Sequence, residues 1–216
     1  MIVLKIGGAA LKASKNDFEL PPSVCVVHGA GPQISLEMER AGIPVEFVGG
    51  RRVTSAAAME VVRASYRRVN AIVCEEIGER AVPLFGDEIG MRAEPVPGLG
   101  LVGDARPSRP QAIVDALAAE KVPVVAPLAE GPLNVNADDA AAALAIGLGA
   151  EKLLFLTDVD GLILGGEVVD EIGVDEASDL LAGGTLEGGI IPKLGAAVSA
   201  AREGVEAFIG HTRVAA

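Results

Sequence analysis

Hydrophobic positions along the chain follow two rhythms. Continuous aliphatic runs at MIVLKI (1–6), VCVVHG (24–29), VPVVAP (122–127) and KLLFLTDV (152–159) read as strands buried on both faces, with EAFIG (206–210) as a shorter one. Between them, apolar residues recur at helical spacing in 33–42, 55–80, 109–121, 138–150 and 191–204, and several of these segments stop at glycine. Strands without polar alternation, joined through helices, predict an α/β fold with a mostly parallel sheet covered on both faces. The segment AVPLFGDEIGMRAEPVPGLGLVGDARPS (81–108) breaks the rhythm. Its short strand-like pieces alternate with Gly and Pro and predict hairpins at the sheet edge. No linker composition or internal repeat divides the chain, so residues 1–216 read as one domain.

Composition narrows the choice of partners. Half of the 216 residues are hydrophobic, enough for a substantial core. The net charge of −12 argues against a nucleic-acid groove or an anionic membrane surface, so any anionic ligand must be held by local charge. Aromatic residues are 3% and Trp is absent, which disfavours stacking platforms for single strands. Cys25 and Cys74 sit in apolar settings and read as free thiols of a reducing compartment. No apolar run is long enough to span a bilayer and strand one begins at the first residues; a cytoplasmic protein is expected, with neither nucleic acid nor membrane as partner.

In open α/β sheets ligands bind beyond the carboxyl ends of strands. Four such places carry unusual residues. Lys5-Ile6-Gly7-Gly8-Ala9 pairs a lysine with two glycines, matching neither the P-loop nor the dinucleotide fingerprint. His28-Gly29-Ala30-Gly31-Pro32-Gln33 leads into a helix whose N–H groups can hold an anion; His28 itself reads equally well as a satisfied loop histidine. Gly49-Gly50-Arg51-Arg52-Val53-Thr54 offers an arginine fork suited to a carboxylate, although two adjacent arginines ordinarily mean a solvated basic turn. The fourth, GPLNVNADDAAAALAIG (131–147), places Asn134, Asn136, Asp138 and Asp139 before an alanine-rich helix. Capping accounts for two of these four. The remainder read as one Asn on substrate and Asp138 aligning lysines. Of six lysines against twelve arginines, Lys5 and Lys193 are flanked by glycine or a helix start, as suits point charges for phosphate.

KIGGAA, VHGAGPQI, GGRRVT, LGLVGDA, NVNADDAAAALA, LTDVDGLI and GGIIPKL stand in the order found in the amino-acid kinase fold family. Over residues 1–210 the chain resembles the acetylglutamate kinase branch of that family, chiefly through NVNAD, LTDVDG and IPKL. The resemblance implies a three-layer αβα sandwich with an open sheet. It places an amino-acid lobe at 1–130 and a nucleotide lobe at 131–216. It implies that Lys5 and Lys193 stabilise the transferring phosphoryl group, that Asp138 organises them, and that Gly7 and Gly8 line the phosphate path. Substrate would meet Ala30, Gly31, Arg52 and Asn134. The nucleotide would lie along Asp158, Val159, Asp160, Gly161, Leu162 and Ile163 and near Thr185, Leu186 and Glu187.

Several departures from the family pattern set further expectations. Ala30 replaces the middle glycine of a triple glycine, which requires a negative φ. The stretch 10–22 is short and holds Pro21-Pro22, so the first helix is expected to be truncated. The chain ends at HTRVAA, and no helix precedes strand one, from which a homodimer with little arginine inhibition is expected.

The implied reaction moves the γ-phosphoryl group of ATP to the side-chain carboxylate of N-acetyl-L-glutamate. That carboxylate is ionised near neutral pH and needs no general base, in keeping with a chain of two histidines. Mg2+ is implied by the phosphates, not by any cluster of metal ligands. Two other readings stay open. One is a kinase of another acylated or carrier-bound amino acid, such as aminoadipate or glutamate on an acidic carrier that meets Arg51, Arg52, Arg63, Arg67 and Arg68. The other is a non-catalytic nucleotide- or amino-acid-binding regulator, against which the joint presence of Lys5, Asp138 and Lys193 speaks.

Overall fold

The computed structural model describes residues 1–7, 20–157 and 160–216. In chain order the strands are β1 (Ile2–Ile6), β2 (Val24–His28), β3 (Phe47–Val48), β4 (Arg51–Arg52), β5 (Ala81–Phe85), β6 (Arg92–Pro95), β7 (Val102–Arg106) and β8 (Val122–Ala126). They continue as β9 (Leu128–Ala129), β10 (Leu133–Val135), β11 (Lys152–Leu156), β12 (Ile163–Leu164), β13 (Glu167–Val168), β14 (Glu171–Gly173), β15 (Glu206–Ile209) and β16 (Thr212–Ala215). The helices are α1 (Gly31–Arg40), α2 (Ala56–Ile77), α3 (Gln111–Ala118), α4 (Ala137–Leu148), α5 (Val174–Gly183) and α6 (Ile190–Arg202).

The main sheet runs β14-β16-β15-β11-β1-β2-β8-β5 and is parallel except between β15 and β16. Alternation along each strand fills both faces. Val3, Cys25 and Val27 join one core with α3, α4, α5 and α6, whereas Leu4, Val24 and Val26 join the other with α1 and α2. The expected three-layer αβα arrangement is therefore present. It also explains why those strands lack polar positions, since each residue faces a helix layer.

The region 81–108 differs in part from the edge hairpins expected of it. β5 is the outermost parallel strand of the main sheet, an edge where Pro83 is tolerated without its N–H. β6 and β7 do form an antiparallel pair, but in a separate sheet ordered β6-β7-β10-β9. Within HTRVAA, Thr212–Ala215 form β16, antiparallel to β15. α5 has only Ala177 fully buried, too faint an apolar stripe to be read as a helix from sequence.

α4 is the buried pillar of the fold, with eight of its residues buried, five of them alanine. Small side chains allow close approach. A Cβ on Gly147 would overlap the backbone oxygen and nitrogen of Ser108, whereas one on Gly195 of α6 would meet nothing within 4 Å. Gly147→Ala is expected to destabilise by about 1–3 kcal/mol through overpacking. Gly195→Ala should instead gain up to about 1 kcal/mol of helix propensity. Thermal unfolding of the two variants should move Tm in opposite directions.

Candidate active site

Strand β1 sits where the sheet reverses its order, between β2 and β11. The crevice beyond its carboxyl end is the natural ligand position in such a sheet. Lys5 occupies the same face of β1 as Val3, toward α4, and there its Nζ lies 2.7 Å from Oδ1 of Asp138. The other carboxylate oxygen of Asp138 is 3.7 Å from Nζ of Lys193, which also donates to the carbonyl of Gly189 at 3.2 Å. One carboxylate thus bridges two ammonium groups that are far apart in sequence. Lys5 and Asp138 are almost wholly buried, 5% exposed each. Burial is the main cause that lowers the Lys5 pKa from its ordinary value; Asp138 opposes the shift and Lys193 adds to it. Two cations around one carboxylate leave one positive charge in excess, in a chain whose overall charge is −12.

These groups form the floor of a cleft of about 430 Å3. Three helix N-termini reach its lining: Ala30, Gly31 and Pro32 of α1, Asn136 and Asp138 of α4, and Gly189 before α6. Neither α1 nor α6 has a side-chain cap or an acidic residue in its first turn, so their N–H groups and positive dipole ends face the cleft without local neutralisation. This is an environment for anions. Ala30 adopts φ −141°, the negative φ that an alanine in the glycine-rich turn requires.

Arg52 forms the wall. It is buried, not solvated, and donates through Nη2 to the Gly31 carbonyl at 3.0 Å and the Ser35 hydroxyl at 2.8 Å. Phe47 covers its guanidinium at 4.6 Å. Across the cleft, Asn134 donates to the Thr54 hydroxyl at 3.1 Å, and that hydroxyl donates to the Arg52 carbonyl at 2.8 Å. His28 is fully buried at the end of β2, its Nε2 3.1 Å from Asn70 Nδ2, and burial lowers its pKa to about 4. The ring is therefore neutral at ordinary pH and removed from the cleft.

Lys5, Gly7, Ala30, Gly31, Arg52, Asn134, Asp138 and Lys193 all line the same cleft. Among the described residues, Asp160, Gly161, Leu162, Ile163, Thr185, Leu186 and Glu187 are not part of that lining. Gly161 and Leu162 pack beneath Thr212, whose hydroxyl accepts from the Leu162 amide at 2.8 Å. Asp160 and Ile163 are exposed nearby, as are Thr185 and Glu187 at a separate position, with Leu186 half-buried against the core. Gly8, Asp158 and Val159 lie outside the described residues, as does most of the stretch 10–22.

The polar cluster opening α4 is resolved atom by atom. Asn136 is the cap, accepting from the amides of Asp138 at 2.8 Å and Asp139 at 3.3 Å. Asp139 is not a cap; its carboxylate meets Arg51. Phe47, Tyr66 and Thr54 were invisible as site residues, because a lone aromatic or hydroxyl carries no spacing signal. Of the five arginines offered to an acidic carrier, Arg63, Arg67 and Arg68 share α2, with Arg67 exposed, and four have partners within this chain. Arg52 turns inward, Arg51 meets Asp104, Arg63 pairs with Asp87, and Arg68 lies near Glu37.

An open αβα sheet with a lysine–aspartate–lysine floor and anion-binding helix ends defines a phosphotransferase-like class of site. The chain belongs to the amino acid kinase family, whose profile matches residues 1–211. Among its relatives, the acetylglutamate kinase of a Nocardioides species is 45% identical over 83% of this chain and 64% of its own length. The acetylglutamate kinase of Rubrobacter xylanophilus is 40% identical over 96% of this chain and 87% of its own. A crystallised Streptococcus mutans protein superposes with a TM-score of 0.90 at 28% identity, covering 99% of this chain and 98% of that one. No helix among the described residues is long and apolar enough to cross a membrane.

Proposed function

We propose that this chain transfers the γ-phosphoryl group of ATP to the side-chain carboxylate of N-acetyl-L-glutamate, forming an acyl phosphate, the step named by its acetylglutamate kinase relatives and used in arginine biosynthesis. The observation that carries this reading is the single carboxylate of Asp138 between Lys5 and Lys193 at the floor of a cleft walled by Arg52. The acceptor carboxylate is already a nucleophile, so no proton need be removed from it. The neutral, buried His28 is consistent with that. What must be overcome is repulsion between anions, about 4 kcal/mol per unit pair at 4 Å for an effective dielectric near 20. Lys5 and Lys193 would offset it at the migrating group, with the N-termini of α1 and α6 adding partial charge. Asp138 holds both ammonium groups in place and moderates the loss of Lys5 basicity that burial causes.

Among the described residues no group of three or more His, Cys, Asp or Glu is placed to hold a metal ion, and Asp138 is already engaged by two lysines. Mg2+ would therefore enter as the nucleotide's counter-ion, held by phosphate oxygens and water. In this reading the nucleotide phosphates enter on the Gly189 and Lys193 side of the cleft, the remainder of the nucleotide follows the stretches that the resemblance implies, and the acyl amino acid lies between Arg52, Asn134 and the α1 N-terminus.

A coupled assay of ADP release with N-acetyl-L-glutamate, L-glutamate and L-2-aminoadipate tests the proposal. N-acetyl-L-glutamate should give the highest kcat/KM; turnover restricted to aminoadipate, or none with any acceptor, would overturn it. Arg52→Ala should raise the KM for N-acetyl-L-glutamate about 10- to 100-fold, the loss of one charge-assisted pair, and change the KM for ATP far less. An unchanged acceptor KM would remove Arg52 from the site.

A further inference from the structure

Adjacent residues of a strand point to opposite sides, and the β3–β4 hairpin uses that alternation across the cleft. Its turn is Gly49-Gly50, both at positive φ (55° and 76°), the conformation of a two-residue hairpin turn. The pairing is only two residues deep, so the hairpin cannot be rigid by its own ladder. Arg52 anchors one side of it to α1. Arg51 goes the other way. Its Nη2 lies 2.5 Å from Oδ1 of Asp104 on β7 and 3.4 Å from Oδ2 of Asp139 on α4. The Gly50 carbonyl also faces Nδ2 of Asn136, the α4 cap, at 3.5 Å. Asp139 is the immediate neighbour of Asp138, so the far end of this bridge rests on the turn that holds the two lysines.

We propose that the bridge from Arg51 to Asp104 and Asp139 is a positioning device that ties the hairpin bearing Arg52 to the helix bearing Asp138, setting the distance between the acceptor's binding arginine and the phosphoryl-binding lysines. The inference rests on the reading of the cleft given under Proposed function. Arg51 also lines the cleft, but its Nη2 is directed at two carboxylates, and in this reading it is a positioning residue that leaves the substrate to Arg52. The surroundings favour a tunable contact. Asp104 is shared with Arg106, which approaches its other oxygen at 2.9 Å. Asp139 faces Arg51 from β4, Asp104 from β7 and Asp138 on its own helix, while α6 presents only Gly195, Ala196 and Ser199 to the adjoining cavity. Burial, followed by the two neighbouring carboxylates, pushes the Asp139 pKa up to about 6 against the pull of Arg51. Above that pH Asp139 brings its charge to the bridge; below it that charge is lost.

The test combines steady-state kinetics with amide hydrogen exchange of the full chain. Arg51→Ala should raise the KM for N-acetyl-L-glutamate about three- to tenfold, with a smaller change in kcat and none in the KM for ATP, as fits loss of two partly exposed ion pairs. Asp139→Asn should do the same more weakly, and the double variant should be no worse than Arg51→Ala alone, because both changes open one bridge. Arg51→Lys should recover part of the effect. The acceptor KM of the unaltered chain should rise as pH falls through about 6, and that rise should be absent in Asp139→Asn. Exchange of peptides covering 46–52 should accelerate in Arg51→Ala while α2 is unchanged. Unaltered exchange in the hairpin, or faster exchange with an unmoved acceptor KM, overturns the inference. If the chain turns over no acceptor, the proposed function fails separately, and the exchange data still decide whether the bridge holds the hairpin.

Discussion

Lys5→Met is expected to lower kcat about 100- to 1,000-fold, the cost of deleting one preorganised positive donor from a phosphoryl-transfer site. The side chain is almost wholly buried, and Nζ is 2.7 Å from Asp138, so this charge cannot be replaced by solvent. Methionine keeps most of the aliphatic volume and so limits the cavity in the strand, although removal of one partner of a buried pair carries its own cost in stability. Asp138 retains Lys193 at 3.7 Å and is not left alone. Lys193→Met should reduce kcat by a similar order, because its side chain is only 16% exposed and reaches the same carboxylate. Turnover within a few-fold of the unaltered chain, in either variant with an unchanged Tm, would remove that lysine from the phosphoryl site.

Asp138→Asn is the second large effect, and it should appear in both activity and stability. Asparagine can still accept from one ammonium but offers no charge, so Lys5 is left buried with Lys193 repelling it. Removing one partner of a buried pair costs about 3–5 kcal/mol when the remaining charge stays ionised. Lys5 has an escape, since its pKa is already lowered by burial and Asp138 is the main group holding it up. Without Asp138 the folded-state pKa drops further below that of the unfolded chain. The unfolded state then binds the extra proton, and stability rises with pH across the window between the two values. The destabilisation of Asp138→Asn should therefore be greatest below the lowered folded-state pKa of Lys5 and shrink as pH rises toward the unfolded-state value. The alkaline limb of its kcat profile should shift to lower pH, because the deprotonated Lys5 cannot compensate phosphate charge. A pH-independent loss of stability would mean that Lys5 does not depend on Asp138 for its proton.

Much of this site was legible in the sequence because its parts sit at strand ends and helix starts. β1, β2, β8 and β11 announce themselves by continuous apolar runs, a consequence of burial on both faces. Asn134, Asn136, Asp138 and Asp139 exceeded what capping explains, and the excess proved to be side-chain work. Asn136 caps, Asp138 bridges two lysines, Asn134 meets Thr54, and Asp139 meets Arg51. The resemblance singled out Arg52 for the substrate, but the part played by Arg51 was not legible. Both arginines line the cleft, and only the packing of β7 and α4 against the hairpin shows Arg51 pairing with Asp104 and Asp139 while Arg52 turns to α1. β3, β4, β9 and β10 are two or three residues long, too short for any period to register. Gly161 and Leu162 illustrate the opposite difficulty. They stand in a recognisable stretch, yet their own side-chain surroundings are Thr212 and the core, so any contact with a nucleotide there falls to backbone and exposed neighbours.

The most direct measurement is a crystal structure of the chain with ADP, N-acetyl-L-glutamate and a planar metal-fluoride mimic of the migrating phosphoryl group. Both Nζ atoms, of Lys5 and of Lys193, should lie within about 3 Å of fluorides or oxygens around the same central atom, with Asp138 still between them. A mimic bound by one lysine alone, or seated outside the crevice at the end of β1, would contradict the shared role assigned to the pair.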